Sequence, residues 1–463
     1  MQISEEIKKV HEDLADCSLK FLEFVQRNPE ALNRSCFDFS EIEDDLFKFQ
    51  PWPTFVNQVK LKEIKRAAIE VYRLIKSIPG RLFGYDSQRF SKYFNMPDNA
   101  VKFMLAGVED EHIDNLLARG DFILSAEGLK CLEYNVTPNL GGWRSPIWES
   151  YYLRNPIIAR FVEESGVNVT KNALFSILFD HIGRIALKKL SHIPQEINVL
   201  FMFPAYTETP GNREQRLHLS RIYQDCLKRL EPNCSGEVIL GDFFSPNFAD
   251  GVLTWNDKEI HIVVELNGGR VPDSVYQAFN LGKIFLYNGP IANLLSNKLN
   301  LALLSEHETS DIFSPLERET IERYVPWTRK CMRGKTTYRG EEIILEDFVL
   351  KNRQKMVLKP AAGYGGKDIY IGKSTPEEKW KEVLSQALLE ENAMAQEYFD
   401  SVPYIYQWGE NGYAVHDAVW GFFVFGNAFA GGWVRVLPRS HNKGVINCHQ
   451  GAKVSNILEV EEY

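Results

Sequence analysis

The segment VLKPAAGYGGKDIYIG, residues 357–372, constrains the fold more than any other stretch of the chain. A strand-like run ends at Lys359, the glycines Gly363, Gly365 and Gly366 follow, and a second strand-like run begins after Lys367. Glycines adopt positive φ angles and allow a ligand to approach the backbone, and successive N–H groups in such a loop bind anions. The segment therefore predicts a hairpin that folds over an anionic group, although a glycine hairpin with two solvated lysines would show the same pattern.

This segment differs from the Walker A phosphate-binding loop. The pattern GxxxxGK[ST] is absent from it, and a strand follows the glycines where the Walker A loop leads into a helix. The common P-loop nucleotide-binding fold is therefore not expected here.

A second group of polar residues lies on a predicted hairpin at 121–136. Asp121 and Glu133 occupy its two strands, and Arg119 and Asn135 lie two residues from them, so each shares a strand face with a carboxylate. Two carboxylates and an amide oxygen suit Mg²⁺ bound beside phosphates, and an arginine can contact a phosphoryl oxygen. A solvated strand edge is the alternative interpretation.

A third candidate is the strand-like segment MAQEYF, whose last four residues are Gln396, Glu397, Tyr398 and Phe399. Backbone polar groups beside apolar walls are what an adenine base requires. By itself the segment is more typical of an ordinary buried strand.

The rest of the chain reads as mixed α and β structure. The first hundred residues are mostly helical in pattern, whereas strand-like runs at 197–203, 237–242, 261–266 and 283–288 flank a polar helix. Strand–helix–strand order predicts a small α/β layer with a parallel sheet. We expect three regions, namely a helical region with the metal-site hairpin (1–175), a small substrate domain (176–295) and a nucleotide-binding region (296–463).

Composition narrows the function classes. The formal net charge of −9 argues against a nucleic-acid-binding protein, and we expect no membrane association because no apolar run approaches the length of a membrane span. The seven cysteines include no CxxC pair, which disfavours a zinc site or a disulfide framework. The N-terminal residues lack the pattern of a signal peptide. We therefore expect a cytoplasmic protein.

Together these segments resemble the ATP-grasp superfamily, whose members carry a strand lysine, a glycine flap, a hinge segment and an acidic metal site. In this chain the metal-site residues precede the hinge by more than two hundred residues. That order is similar to the circularly permuted branch, which includes eukaryotic glutathione synthetase and the synthetase domain of glutathionylspermidine synthetase. The resemblance extends over about residues 115–440, and the residues that match its motifs are Arg119, Asp121, Glu133, Asn135, Lys298, Lys359 and Arg435.

The resemblance implies an ATP-dependent ligase that joins a small carboxylate to an amine, such as an amino acid or a short peptide, through an acyl phosphate. ATP and Mg²⁺ would be its cofactors, and a homodimer is compatible with it. It implies that Lys298, Lys359 and the flap hold phosphates with help from Lys367, that Gln396 to Phe399 hold the adenine, and that Arg119 and Arg435 stabilise the acyl phosphate. Two alternatives stay open, an ATP-binding regulatory relative without ligase activity and an enzyme that uses a non-amine nucleophile.

The substrates themselves are not encoded in a recognisable motif. Arg144 and Arg213 lie in loop-like segments and could bind a substrate carboxylate, but the sequence slightly favours ordinary surface arginines at both positions.

Overall fold

The computed structural model describes residues 3–32, 47–106, 108–171, 173–189, 194–363, 365–409, 412–442 and 444–461, with only the backbone described at 211 and 212. Cys36 lies outside these ranges. Among the described residues, no helix combines the length and the apolar composition that spanning a membrane requires.

The helices are α1 (Glu5–Leu14), α2 (Asp16–Arg27), α3 (Gln58–Phe83), α4 (Ser87–Phe94), α5 (Asp98–Leu105), α6 (Asp110–Asp114), α7 (Ser145–Arg154), α8 (Pro156–Ser165), α9 (Leu174–Lys189), α10 (Pro210–Leu230), α11 (Asp273–Asn280), α12 (Ala292–Leu295), α13 (Leu299–Glu306), α14 (Pro315–Tyr324), α15 (Leu345–Lys351) and α16 (Glu377–Glu390). The strands are β1 (Lys48–Phe49), β2 (Thr54–Asn57), β3 (Leu117–Ser125), β4 (Gly128–Asn135), β5 (Asn168–Thr170), β6 (Val199–Phe203), β7 (Val238–Asp242), β8 (Asn247–Ala249), β9 (Val252–Trp255), β10 (Lys258–Glu259), β11 (Ile262–Glu265), β12 (Phe285–Tyr287), β13 (Thr328–Lys330), β14 (Lys335–Tyr338), β15 (Glu341–Ile344), β16 (Met356–Pro360), β17 (Tyr370–Ile371), β18 (Ala393–Glu397), β19 (Tyr404–Trp408), β20 (Gly412–Phe425), β21 (Ala428–Pro438) and β22 (Lys453–Glu461). The chain is thus a mixture of helices and sheets, as its sequence pattern predicts.

A nine-stranded sheet joins the early and the late parts of the chain. Its main order is β1-β22-β21-β20-β3-β4, with β2 and β5 beside β22 and with β19 beside β20. The hairpin β3–β4 pairs through β3 with β20, so that Asp121 lies opposite Gly421. This pairing brings residues that are about three hundred positions apart in the sequence onto neighbouring strands.

A second sheet confirms the predicted α/β layer. Its strands run in the order β12-β11-β6-β7, and every pair in it is parallel. The polar helix α10 connects β6 to β7, which is the crossover that a parallel pair requires. A small antiparallel sheet of β8, β9 and β10 follows β7, and the sequence pattern did not predict it.

The third sheet carries the glycine hairpin. It is antiparallel in the order β13-β18-β16-β17. Lys359 lies on β16 and Gln396 on β18, and the glycine-rich segment connects β16 to β17. The antiparallel pairing of β16 with β17 confirms the predicted hairpin.

The N-terminal helices pack on the large sheet. Ile64, Ala67 and Val71 are buried along α3, which lies within the part of the chain that is helical in pattern. Residues 54–57 form β2, which pairs in parallel with β22. Pairing with a strand four hundred residues away cannot be read from local sequence.

Candidate active site

The two carboxylates of the hairpin β3–β4 lie directly opposite each other. Asp121 pairs with Glu133 and Arg119 pairs with Asn135, and a bulge follows Asp121. The Asn135 amide nitrogen lies 3.4 Å from an Asp121 oxygen and 3.5 Å from a Glu133 oxygen. The register of the hairpin therefore places these four side chains in one cluster.

Asp121 is fully buried between two arginines. Arg119 donates to both of its oxygens, at 2.8 Å from Nε and 3.0 Å from Nη2, and Arg435 Nη2 lies 2.8 Å from Oδ2. Burial by itself raises the pKa of Asp121, but the two guanidinium groups outweigh it and hold the pKa below its ordinary value. Asp121 is thus a carboxylate whose lone pairs are largely taken by cations.

Glycine at position 421 makes this arrangement possible. Gly421 lies on β20, between the strands that carry Asp121 and Arg435. A Cβ atom added there would lie 2.5 Å from Trp433 Nε1 and 3.0 Å from Arg119 Cδ. Any larger residue would displace the two side chains, so the glycine leaves room for the buried arginine.

Lys298 connects the hairpin to the glycine segment. Its Nζ lies 3.4 Å from Glu133 Oε2 and donates to the Gly363 carbonyl at 2.9 Å. Its backbone N–H donates to the Ala361 carbonyl at 2.9 Å. Since Lys298 precedes α13 immediately, that helix fixes the position of the cation.

Lys359 is a buried cation at the same site. Its Nζ donates to Gln396 Oε1 at 2.7 Å and to the Leu132 carbonyl at 3.2 Å. Burial lowers the pKa of Lys359 to about 8, and nearby Glu133 only partly offsets the effect. An anion placed beside this ammonium would restore its charged form.

Asp121, Glu133, Lys298 and Lys359 line one cavity. Its polar lining includes Asp121, Glu133, Lys298, Lys359, Lys367, Gln396, Glu397 and Arg435. Its apolar lining includes Ile123, Leu132, Val357, Ile369, Ile371, Phe399, Val419 and Ile446. Cationic and apolar side chains within one cavity suit a ligand with an anionic group and a flat ring.

Two segments cover this cavity. Gly363, Gly365 and Gly366 line it with φ angles of 135°, 74° and 72°, which only glycine adopts easily. Gly366 faces the second segment, residues 444–447, because a Cβ atom added to it would lie 2.8 Å from Val445. This second segment was not predicted from the sequence, although Gly444 within it offered a signal.

The backbone N–H groups of the hinge segment, residues 396–399, differ in whether they already have a partner. Glu397, Tyr398 and Phe399 line the cavity, and their backbone N–H groups face different partners. Glu397 donates to the Trp327 carbonyl and Tyr398 to the Lys355 carbonyl, both at 2.8 Å. Within the described part of the chain, no hydrogen bond involves the Phe399 N–H, so it is the hinge donor available to a ligand.

Other candidate residues lie away from the cavity. Arg119 and Asn135 stand behind Asp121 and Glu133 and do not line it. Arg144 and Arg213 are exposed and do not line it either.

The arrangement is suited to Mg²⁺ that arrives with phosphate groups. Among the described residues no group of three or more His, Cys, Asp or Glu side chains could hold a metal. Glu133 lines the cavity with a partly exposed side chain, whereas both Asp121 oxygens already accept from arginines. Few protein ligands and several phosphate oxygens are the usual surroundings of Mg²⁺, and Glu133 is the carboxylate placed to supply one.

Comparison with known proteins supports the fold and no more. No family model matches the chain, and no curated protein sequence matches it. A solved structure that matches is the apo form of a glutathione synthetase-like effector, GSS30, from Globodera pallida, with a TM-score of 0.56 over 98% of each chain. The two sequences are 11% identical, so the likeness concerns the fold alone. The chain therefore shares the mixed α/β fold of that glutathione synthetase-like structure.

Proposed function

We propose that this chain is an ATP-dependent carboxylate–amine ligase of the circularly permuted ATP-grasp type. One observation carries the proposal, namely that Glu133 from an early hairpin lines the same cavity as Lys298 and Lys359 from late elements. Carboxylate and lysines together match the needs of a metal-bound triphosphate. The pairing of the early hairpin with the late strand β20 is what a permuted chain order would require.

The nucleotide would lie along the cavity. Lys298, Lys359 and the glycine segment would hold the phosphates, with Lys367 beside them, and the apolar lining that includes Phe399 would hold the adenine. Glu133 would hold Mg²⁺, and Asp121 would anchor the surrounding cations. In this reaction the substrate carboxylate would take the γ-phosphoryl group of MgATP with release of ADP, and an amine would then displace phosphate from the acyl phosphate to form the amide.

The protein's own side chains would stabilise negative charge and exclude water. Arg435 lines the cavity, and its Nε–H is buried without a partner among the described residues, so it can donate to an oxyanion. Arg119 would act through Asp121, which both arginines hold. The glycine segment and residues 444–447 cover the cavity and would protect the acyl phosphate from hydrolysis.

The substrates that we propose are a small carboxylate and an amine, for example an amino acid or a short peptide. A cytoplasmic location and a homodimer stay predictions.

The decisive experiment is a search for condensation products. The protein would be incubated with ATP, Mg²⁺ and pooled amino acids, amines and short peptides, and products would be identified by mass spectrometry. Glu133→Gln should abolish product formation, whereas Glu346→Gln, which alters an exposed ion pair with Arg333, should leave it unchanged. Full activity of Glu133→Gln would contradict the assigned site.

A regulatory ATP-binding protein is the second candidate. It is favoured by the description of the structural neighbour as an effector and by the commitment of both Asp121 oxygens to arginines. A protein that binds ATP but releases no ADP with any of the pooled amino acids, amines or peptides would establish this second function. ADP release that gives a hydroxamate with hydroxylamine but no amide with any amine would instead indicate an acyl phosphate passed to another nucleophile.

A further inference from the structure

A buried chain of hydrogen bonds lies behind the cavity. The Thr328 hydroxyl donates to the Pro326 carbonyl at 2.8 Å, and Gln396 Nε2 donates to the Thr328 oxygen at 3.0 Å. Gln396 Oε1 then accepts from Lys359 Nζ at 2.7 Å. Thr328 and Gln396 are both fully buried, and they are cross-strand partners on β13 and β18.

The donor and acceptor roles in this series of hydrogen bonds are fixed at its Pro326 end. A backbone carbonyl can only accept, so the Thr328 proton points to Pro326 and the threonine oxygen is left as an acceptor. The Gln396 amide must therefore turn its NH₂ group to Thr328 and its oxygen to Lys359. The opposite orientation would place an NH₂ group against the Lys359 ammonium, two donors facing each other without an acceptor.

Among the residues that the structure describes, two partners engage the ammonium and leave one N–H group for a ligand. An ammonium carries three donors, and for Lys359 two of them bond to Gln396 and to the Leu132 carbonyl. Lys359 lines the cavity, whereas Thr328 and Pro326 do not. Thr328, which lies outside the cavity, thus determines in which direction the Lys359 ammonium can donate inside the cavity.

We propose that Thr328 and Gln396 are positioning residues that hold the Lys359 ammonium with one donor directed to a phosphate of the nucleotide. The proposal rests on the proposed ATP site. It also revises the prediction that Gln396 contacts the adenine, because the whole Gln396 side chain is engaged between Lys359 and Thr328.

The test compares Thr328→Val, which keeps the shape of the side chain and removes the hydroxyl, with Thr328→Ser, which keeps the hydroxyl. Affinities for MgATP and for adenosine would be measured by competition with a fluorescent ATP analogue. Thr328→Val should weaken ATP binding about fivefold, as expected when the Gln396 amide loses its neutral hydrogen bond to Thr328. Adenosine binding should not change, because adenosine has no phosphate, and Thr328→Ser should resemble the wild type.

The outcomes separate this proposal from the proposed function. A wild-type protein that does not bind ATP would overturn the ATP site itself. A Thr328→Val protein that binds ATP as tightly as the wild type, or that loses ATP and adenosine binding equally, would overturn the positioning role alone.

Gln396→Glu provides a second test that does not depend on the valine variant folding. Its carboxylate would face Lys359 and oppose the phosphates, so ATP binding should weaken while adenosine binding is retained. If Gln396 contacted the base, adenosine binding would fall as well, and the proposed positioning role would be wrong.

Discussion

ATP binding should weaken as the pH rises through about 8, because Lys359 loses its charge in that range. Burial lowers the pKa of this lysine to about 8 in the free protein, with Lys298 adding to the shift and Glu133 opposing it. A bound phosphate stabilises the ammonium form and raises the pKa again. Binding is therefore coupled to proton uptake above pH 8, and it is strongest where the free lysine is already protonated.

The size of the effect follows from this pKa. Between about pH 7 and about pH 9 the protonated fraction of a group with that pKa falls roughly tenfold, which corresponds to about 1.4 kcal/mol of binding free energy. Isothermal titration calorimetry at several pH values would measure the affinity. Repeating the titration at pH 8 in two buffers that differ in ionisation enthalpy would measure the proton uptake directly.

Lys359→Arg is the matched control, since arginine stays charged throughout this range. Its affinity for ATP should be nearly independent of pH, and any slope that remains belongs to ATP or to other groups. A wild-type profile as flat as that of Lys359→Arg, or the absence of proton uptake, would refute the assignment of Lys359 as the buried phosphate-binding cation.

Three further predictions concern stability. Asp121→Asn leaves two buried guanidinium groups without their carboxylate and should lower the free energy of unfolding by about 3–5 kcal/mol in urea, against less than about 1 kcal/mol for the exposed ion-pair variant Glu346→Gln. Burial raises the pKa of Glu265 to about 7 from its ordinary 4.5. The folded state therefore loses stability as the pH rises from 4.5 to 7, because the buried carboxyl group must ionise. Glu265→Gln should raise the free energy of unfolding by about 3 kcal/mol at pH 8 but by little near pH 5. Gly444→Ala would place a Cβ atom 2.2 Å from a neighbouring isoleucine at a φ of 107°. The control is Gly451→Ala, because Gly451 has a φ of 89° and no described atom within 4 Å of the added Cβ. Gly444→Ala should lower the free energy of unfolding by about 1–3 kcal/mol more than this control does. An equal loss in the two glycine variants, an Asp121→Asn protein as stable as Glu346→Gln, or a pH-independent gain for Glu265→Gln would contradict the respective reasoning.

Local pattern was enough to predict the parts of the site that lie within one element. The hairpin and its two-residue alternation follow from short-range sequence, and the structure places Asp121 opposite Glu133 and Arg119 opposite Asn135. The parallel layer followed from strand–helix–strand order, and the glycine hairpin followed from its turn residues. Each of these depends on residues that are close together in the sequence.

The parts that escaped prediction depend on distant packing. Gln396 lies in a hinge-like segment, yet its side chain points to Thr328 and Lys359, because β18 is the central partner of both β13 and β16. Gly421 reads as an ordinary strand glycine until β3 and β21 are placed beside it, when the space it leaves for Arg119 becomes visible. No local periodicity distinguishes such positions from unremarkable ones.

The balance of charge around the cavity explains why its carboxylates and cations belong to one site. Arg119 and Arg435 together carry more charge than Asp121, and Lys298 and Lys359 lie beside the single carboxylate of Glu133. The cluster therefore has an excess of positive charge, which disfavours a free divalent cation and favours a polyanion. If the proposed nucleotide binds here, its phosphates would neutralise the lysines and leave the oxygens of Glu133 available to a metal. On that proposal the carboxylate would be a ligand for a metal–nucleotide complex and not a metal site in its own right, which would explain the need for lysines encoded far from the hairpin.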